Sequence, residues 1–174
     1  VRAYPPEAIL FQDEMRVGNR TELGRKWGPC THRPLGPVHI GYQFTHLFVA
    51  LAPLTGQVFA MFLPALNKVC FQLFGQQLNQ EVSQPTLLIA DRATAHQAKL
   101  LTETHLVLTH LPTACPELNP VERFFEELRR QLKSRVFDSL WEAQVCVERV
   151  LQIYLDSPER VIQLAAYPYI RNTS

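Results

Sequence analysis

A mixed α/β layer fold is what this sequence predicts, and three features carry the expectation. Short runs rich in apolar, β-branched and aromatic residues recur at 8–14, 38–53, 58–63, 86–90 and 106–109. Stretches with helical apolar spacing lie between and after them, the clearest at Val121, Phe124, Phe125, Leu128 and Leu132. The order strand, hairpin, helix, buried strand, helix, strand, helix is that of sheet and helices packed in layers. The chain has 174 residues and 47% hydrophobic content, enough for one domain with a packed core.

Residues 1–7 are a polar lead-in with Pro5 and Pro6. The first strand, 8–14, has Ile9, Leu10 and Phe11 as its apolar part, and Asp13 near its end. Glu14 follows directly. Adjacent strand residues face opposite sides, so only one of the two acids can point into a given site. Residues 15–37 carry four glycines and three prolines and read as a loop or loose hairpin. Trp27 within it either anchors the loop to the body or stacks on a base or sugar. One or two strands follow at 38–53, then a tight turn at 54–57 and a strand at 58–63. Asn67 caps a helix at 67–80. The run TLLIA at 86–90 is apolar throughout, as suits a central strand buried on both faces. Asp91 then falls at its carboxyl end, where open α/β sheets place their ligands. A helix is expected at 94–103 and a strand at 106–109.

The stretch 111–133 is a proline-punctuated turn running into an amphipathic helix. Asn119 sits at the N-cap, Pro120 at the first helical position and Glu122 three residues after the cap. Glu122 has two readings. It closes a capping box by reaching back to the Asn119 amide, or it presents a metal ligand at the start of a rigid helix. Helices at 139–155 and 157–166 follow, the second with Ser157 capping and Pro158 at N1, and 167–174 reads as a tail. No repeat and no linker divides the chain.

The formal net charge is only +1, but its distribution is uneven. Arg16, Arg20, Arg25, Lys26 and Arg33 form one basic segment, and Arg123, Arg129, Arg130, Lys133 and Arg135 another. Together they suit a phosphate-facing groove. Cys30, Cys70, Cys115 and Cys146 make no C-x-x-C pair, which argues against a zinc site or a secreted disulfide framework and for a reducing cytosol. The six histidines show no metal-ligand spacing. The most apolar run, 44–54, is too short and interrupted to span a membrane.

Two strands ending in an acid and a late helix opening on a third make a three-carboxylate pattern. With FQDE at 11–14, YQF at 42–44, LPALN at 63–67, the D-x-A-x-x-H of Asp91 to His96, PELNPVERFFEELRR at 116–130 and VFDSLWEA at 136–143, the chain resembles the catalytic domain of DDE transposases. The likeness is to the mariner-like group of bacterial insertion sequences. It implies an RNase H-like fold, a mixed sheet of about five strands flanked by helices, with the first and central strands side by side. Asp13, Asp91 and Glu122 would then be the catalytic, metal-binding acids. Glu14, His96 and Asn119 are auxiliary candidates, and Arg16, Arg25, Lys26, Arg123 and Arg130 candidate DNA contacts.

The resemblance further implies Mg2+ or Mn2+, as two ions, since hard cations take carboxylate oxygens. It implies transposon ends and target DNA as partners, a homodimer as the active complex and a bacterial cytoplasmic location, at the nucleoid when DNA-bound. Residues 1–174 read as the single catalytic domain, and the family's upstream helix-turn-helix region has no counterpart in them. Arg92 stands where the family usually has Asn, Thr113-Ala114-Cys115 replaces an aromatic and a serine, and the spacing from Asp91 to Glu122 is short. These departures leave an inactive remnant, or a domesticated DNA- or protein-binding domain, as the alternative.

Overall fold

The apolar runs assemble into one five-stranded sheet in the computed structural model, which describes residues 4–24, 27–32 and 35–171. The strands are β1 (Ile9–Gly18), β2 (Phe44–Leu51), β3 (Val58–Leu63), β4 (Thr86–Ala90) and β5 (Leu106–His110), in the order β3-β2-β1-β4-β5. β1, β2 and β3 form an antiparallel meander, while β4 pairs parallel to β1 and β5 parallel to β4. Five helices complete the fold: α1 (Lys68–Glu81), α2 (Pro120–Leu132), α3 (Leu140–Leu155), α4 (Pro158–Ala165) and α5 (Pro168–Arg171).

The two-residue period of β1 divides the molecule. Phe11, Met15 and Val17 face a core shared with Val121, Phe124, Phe125 and Leu128 of α2 and Ala143, Val147 and Leu151 of α3. Leu10 faces the other way, into a second core with Phe48, Ala50, Phe71, Phe74 and Leu78, roofed by α1. β4 is buried at every position, as its unbroken apolar sequence requires. The turn after β2 depends on Gly56. Its φ of +77° is in the left-handed region, and a Cβ there would strike the Pro158 carbonyl.

Three elements differ from the sequence expectation, and one expected cap is not made. β1 continues to Gly18, because Met15 and Val17 keep the in-out alternation around exposed Arg16 and pair with Leu47 and Thr45. Beyond it the loop closes as a loose hairpin, with the Asn19 amide donating to the Gln43 carbonyl and the Thr21 amide to that of His39. The expected helix at 94–103 is only a 3-10 turn at Ala98–Leu100. There Asp91 Oδ1 accepts the Ala93 amide, the Thr104 hydroxyl donates to the Leu101 carbonyl, and His96 is drawn into a buried contact, so local and tertiary bonds displace the helical ladder. The tail contains α5, whose Ile170 is buried. Ser157 stands at the N-cap of α4, but its side chain makes no capping hydrogen bond. Asn67 and Ser139 do cap, accepting the Cys70 and Glu142 amides. Among the described residues no helix is long and apolar enough to cross a membrane.

Phe124 is fully buried and meets the Tyr154 ring edge-on at 5.2 Å between centroids. Phe124→Ala is expected to cost about 3–5 kcal/mol of unfolding free energy. Urea denaturation followed by circular dichroism measures it.

Candidate active site

The parallel register of β1 and β4 places Ile9, Leu10 and Phe11 beside Leu87, Leu88 and Ile89. Carried two residues further, the same offset sets Asp13 beside Asp91. Asp13 shares the face of Phe11 and Met15 and points into the α2 layer. There the loop before α2, tightened by a 3-10 turn at Pro116–Leu118, delivers Asn119 and Glu122. Asp13, Asp91, Asn119 and Glu122 line one open cavity of about 330 Å³ with Arg92 and Cys115.

Asn119 joins the helix to the strand. Its Oδ1 accepts the Val121 amide at 3.2 Å as the N-cap, and its Nδ2 donates to the Gln12 carbonyl at 3.0 Å and to Asp13 Oδ2 at 3.3 Å. The capping-box reading of Glu122 does not hold, because the Asn119 amide donates to the Pro116 carbonyl at 2.8 Å. The Glu122 carboxylate instead lies 3.7 Å from Arg129, in an exposed pair. Arg92 does not bridge to the acids. Its Nε donates to the Leu111 carbonyl at 3.3 Å.

Glu14, the other acid of the adjacent pair, faces the opposite layer and accepts hydrogen bonds from Gln12 Nε2 at 2.7 Å and from His96 Nε2 at 2.9 Å. His96 reaches Asp91 Oδ1 from its other nitrogen at 2.7 Å. The predicted basic contacts divide. Arg123 is exposed on the first turn of α2. Arg16 lies over the Phe44 ring at 3.7 Å, beside a separate cavity of about 430 Å³ that Arg20 and Tyr42 also line. Arg130 is held by both carboxylate oxygens of Glu127, at 2.6 and 2.8 Å, and its fork is taken. Arg25 and Lys26, with Arg33, lie outside the described residues. Trp27 is fully exposed and packs on none of the described residues.

Electrostatically, Asp13 is the strained member. Burial pushes its pKa from 3.8 to about 7. The Glu14 amide opposes that shift, while the charges of Glu122, Glu14 and Asp91 add to it. Burial depresses the His96 imidazole, but its hydrogen bond to Glu14 and the charges of Glu14 and Asp91 outweigh burial and hold its pKa above 6.5. Among the described residues no three acidic, histidine or cysteine side chains converge closely enough to hold a metal ion as they stand. The donors are nevertheless all carboxylate oxygens around one cavity, the set a hard divalent cation prefers.

Three participants had weak sequence signals. Gln12 is a polar residue inside an apolar strand, fully buried, and joins Glu14 to the site. His110 Nδ1 donates to the Asp91 carbonyl at 2.8 Å. Tyr169, from the supposed tail, donates its hydroxyl to the Leu118 carbonyl at 2.7 Å and so holds the loop before α2.

A family model described as DDE superfamily endonuclease matches residues 8–144. No curated protein matches the sequence. In structure the chain is similar to the Mos1 strand transfer complex, with a TM-score of 0.68 at 17% identity, covering 92% of this chain and 51% of that one. It is also similar to the Mos1 mariner paired end complex with Mn, with a TM-score of 0.65 at 16% identity, covering 97% and 56%. For the isolated catalytic domain of Mos1 mariner transposase the TM-score is 0.58 at 14% identity, covering 97% and 83%. These likenesses establish the RNase H-like fold; the chain spans about half the length of the longer Mos1 chains.

The Asp13 shift makes a pH prediction. Between pH 3.8 and about 7 the folded chain holds a proton on Asp13 that the unfolded chain has released. The contribution to stability therefore falls as pH rises through that window and is flat above it. In chelator, Asp13→Asn is expected to be more stable than wild type at pH 8, by up to a few kcal/mol. The advantage should vanish near pH 4. Melting temperatures of the two proteins across this range measure it.

Proposed function

Because this chain belongs to the DDE superfamily of endonucleases, we propose that it is the catalytic domain of a mariner-like transposase, cutting DNA at transposon ends and joining the cut end to target DNA. The observation that carries the reading is the meeting of Asp13, Asp91 and Glu122, from three separate elements, on one open cavity. An open cavity suits a phosphodiester, which must enter while still part of a duplex.

Asp13, Asp91 and Glu122 would hold Mg2+ or Mn2+. When bound, the ions activate the attacking oxygen and stabilise the leaving one in an in-line displacement. The chain's own contribution is placement. Asn119 fixes Asp13 through Nδ2 and fixes the start of α2 through Oδ1, so strand acid and helix acid share one anchor. Asp13, kept partly protonated near neutral pH by burial and its acidic neighbours, is relieved by any cation entering among them. Glu122 is exposed enough to rotate from Arg129 toward the cavity. Water cuts the strand and leaves a 3′-hydroxyl, which is the nucleophile for the joining step. No covalent protein–DNA intermediate is needed, which agrees with a site built of carboxylates. Arg16, Arg20 and Arg123 supply phosphate contacts, and two copies of the chain act on paired ends.

A second reading, a non-cleaving relative that keeps the fold for binding, rests on the Glu122–Arg129 pair and on the dispersed donors. Nicking of supercoiled DNA in Mn2+ separates the two. Asp91→Ala is expected to reduce nicking at least ~100-fold while the protein stays folded. Glu122→Gln should lose nicking equally with unfolding free energy within about 0.5 kcal/mol of wild type, since the residue is exposed and makes no cap. Equal nicking by wild type and both variants would favour the binding reading.

A further inference from the structure

We propose that Glu14 and His96 form a buried positioning pair that fixes the Asp91 carboxylate, holding Oδ1 to the protein and leaving Oδ2 to the cation. The inference rests on the metal-dependent reading above and adds two residues on the opposite face of β1 from Asp13. His96 is 4% exposed, yet both of its ring nitrogens meet acid oxygens from different parts of the fold. Nε2 lies 2.9 Å from Glu14 Oε1 and Nδ1 lies 2.7 Å from Asp91 Oδ1. Glu14 Oε1 also accepts from Gln12 Nε2 at 2.7 Å. Asp91 Oδ1 accepts the Ala93 amide at 2.9 Å and lies 2.7 Å from the imidazole Nδ1, whose hydrogen bond goes to the Asp91 backbone carbonyl at 3.3 Å. Among the described residues no hydrogen bond is made to Asp91 Oδ2, and the Asp91 side chain is 58% exposed against 0% for His96 and 6% for Glu14. One carboxylate oxygen is thus spent inside the protein and the other is turned to the cavity.

The ring itself cannot wander. Phe71 of α1 packs on it, with centroids 4.7 Å apart. Taking Glu14 and His96 out of water costs much of what their attraction returns, so the pair contributes little net stability. Its consequence is orientation. A monodentate ligand with one defined direction matters most for Mg2+, whose coordination geometry is strict. A histidine that donates to a carboxylate ligand is the counterpart of the carboxylate that orients a histidine ligand.

The test is Mn2+ affinity of the chelator-stripped protein, read from free Mn2+ by electron paramagnetic resonance and accompanied by melting curves. His96→Gln, which can place a donor only near the Nε2 position, is expected to weaken Mn2+ binding about 10–100-fold. His96→Asn places its amide nitrogen near the Nδ1 position and should remain within a few-fold of wild type. Nicking by His96→Gln should recover as Mn2+ is raised, which a purely structural defect would not do. Glu14→Gln, which preserves shape, should shift affinity in the same direction and add nothing in the His96→Gln background. It carries the test if His96→Gln does not fold. Equal Mn2+ affinity in wild type, His96→Gln and Glu14→Gln, or a nicking loss that added Mn2+ leaves untouched, overturns the proposal. Asp91→Ala serves as the separate control. If it too binds Mn2+ like wild type, the metal reading of the cavity fails, and not merely the positioning pair.

Discussion

β1 and β4 run parallel with Phe11 opposite Ile89, and the rest of the molecule answers to that pairing. A slip of one residue in β1 would turn every side chain to the other face. Asp13 would then enter the α1 layer and Glu14 the α2 layer, and Phe11, Met15 and Val17 would leave the larger core. The register is therefore protected by the burial of those apolar side chains, which is far stronger than any preference of the acids themselves. The acids inherit their positions from hydrophobic packing.

Asn119 extends this control to the helical layer. One amide side chain caps α2 and reaches both the Gln12 carbonyl and Asp13, so the helix cannot shift along its axis without breaking a strand contact. The arrangement gathers like charges and buries one of them, and Asp13 bears the strain. Such concentrations of unfavourable charge are typical of sites whose partner is a cation, and they trade stability for function.

Much of this was legible in the sequence because it rests on local rules. TLLIA announces a buried strand, Asn119-Pro120 a helix start, and the acids follow directly. What was not legible depends on distant contacts. Residues 94–103 have helical composition, but the partner that pulls His96 inward is Glu14, eighty-two residues away in the chain. Alternation says only that Asp13 and Glu14 point apart, not what each one meets. The strand beyond Glu14 was cut short because two acids interrupt the apolar run, although Met15 and Val17 preserve its period. Of the two readings of Trp27, anchor or stacking surface, only tertiary structure decides, because a lone aromatic in a loop does not announce what it packs on.

The hydrogen bond from Tyr169 to Leu118 has a consequence for the order of assembly. The loop that presents Asn119 and Glu122 is fastened by a residue fifty-one positions later. On a ribosome, the strand acids can be in register well before that fastening exists. The helix acid is therefore the last of the three to be secured, and a chain whose synthesis stops short of Tyr169 carries a sheet whose loop before α2 is unlatched.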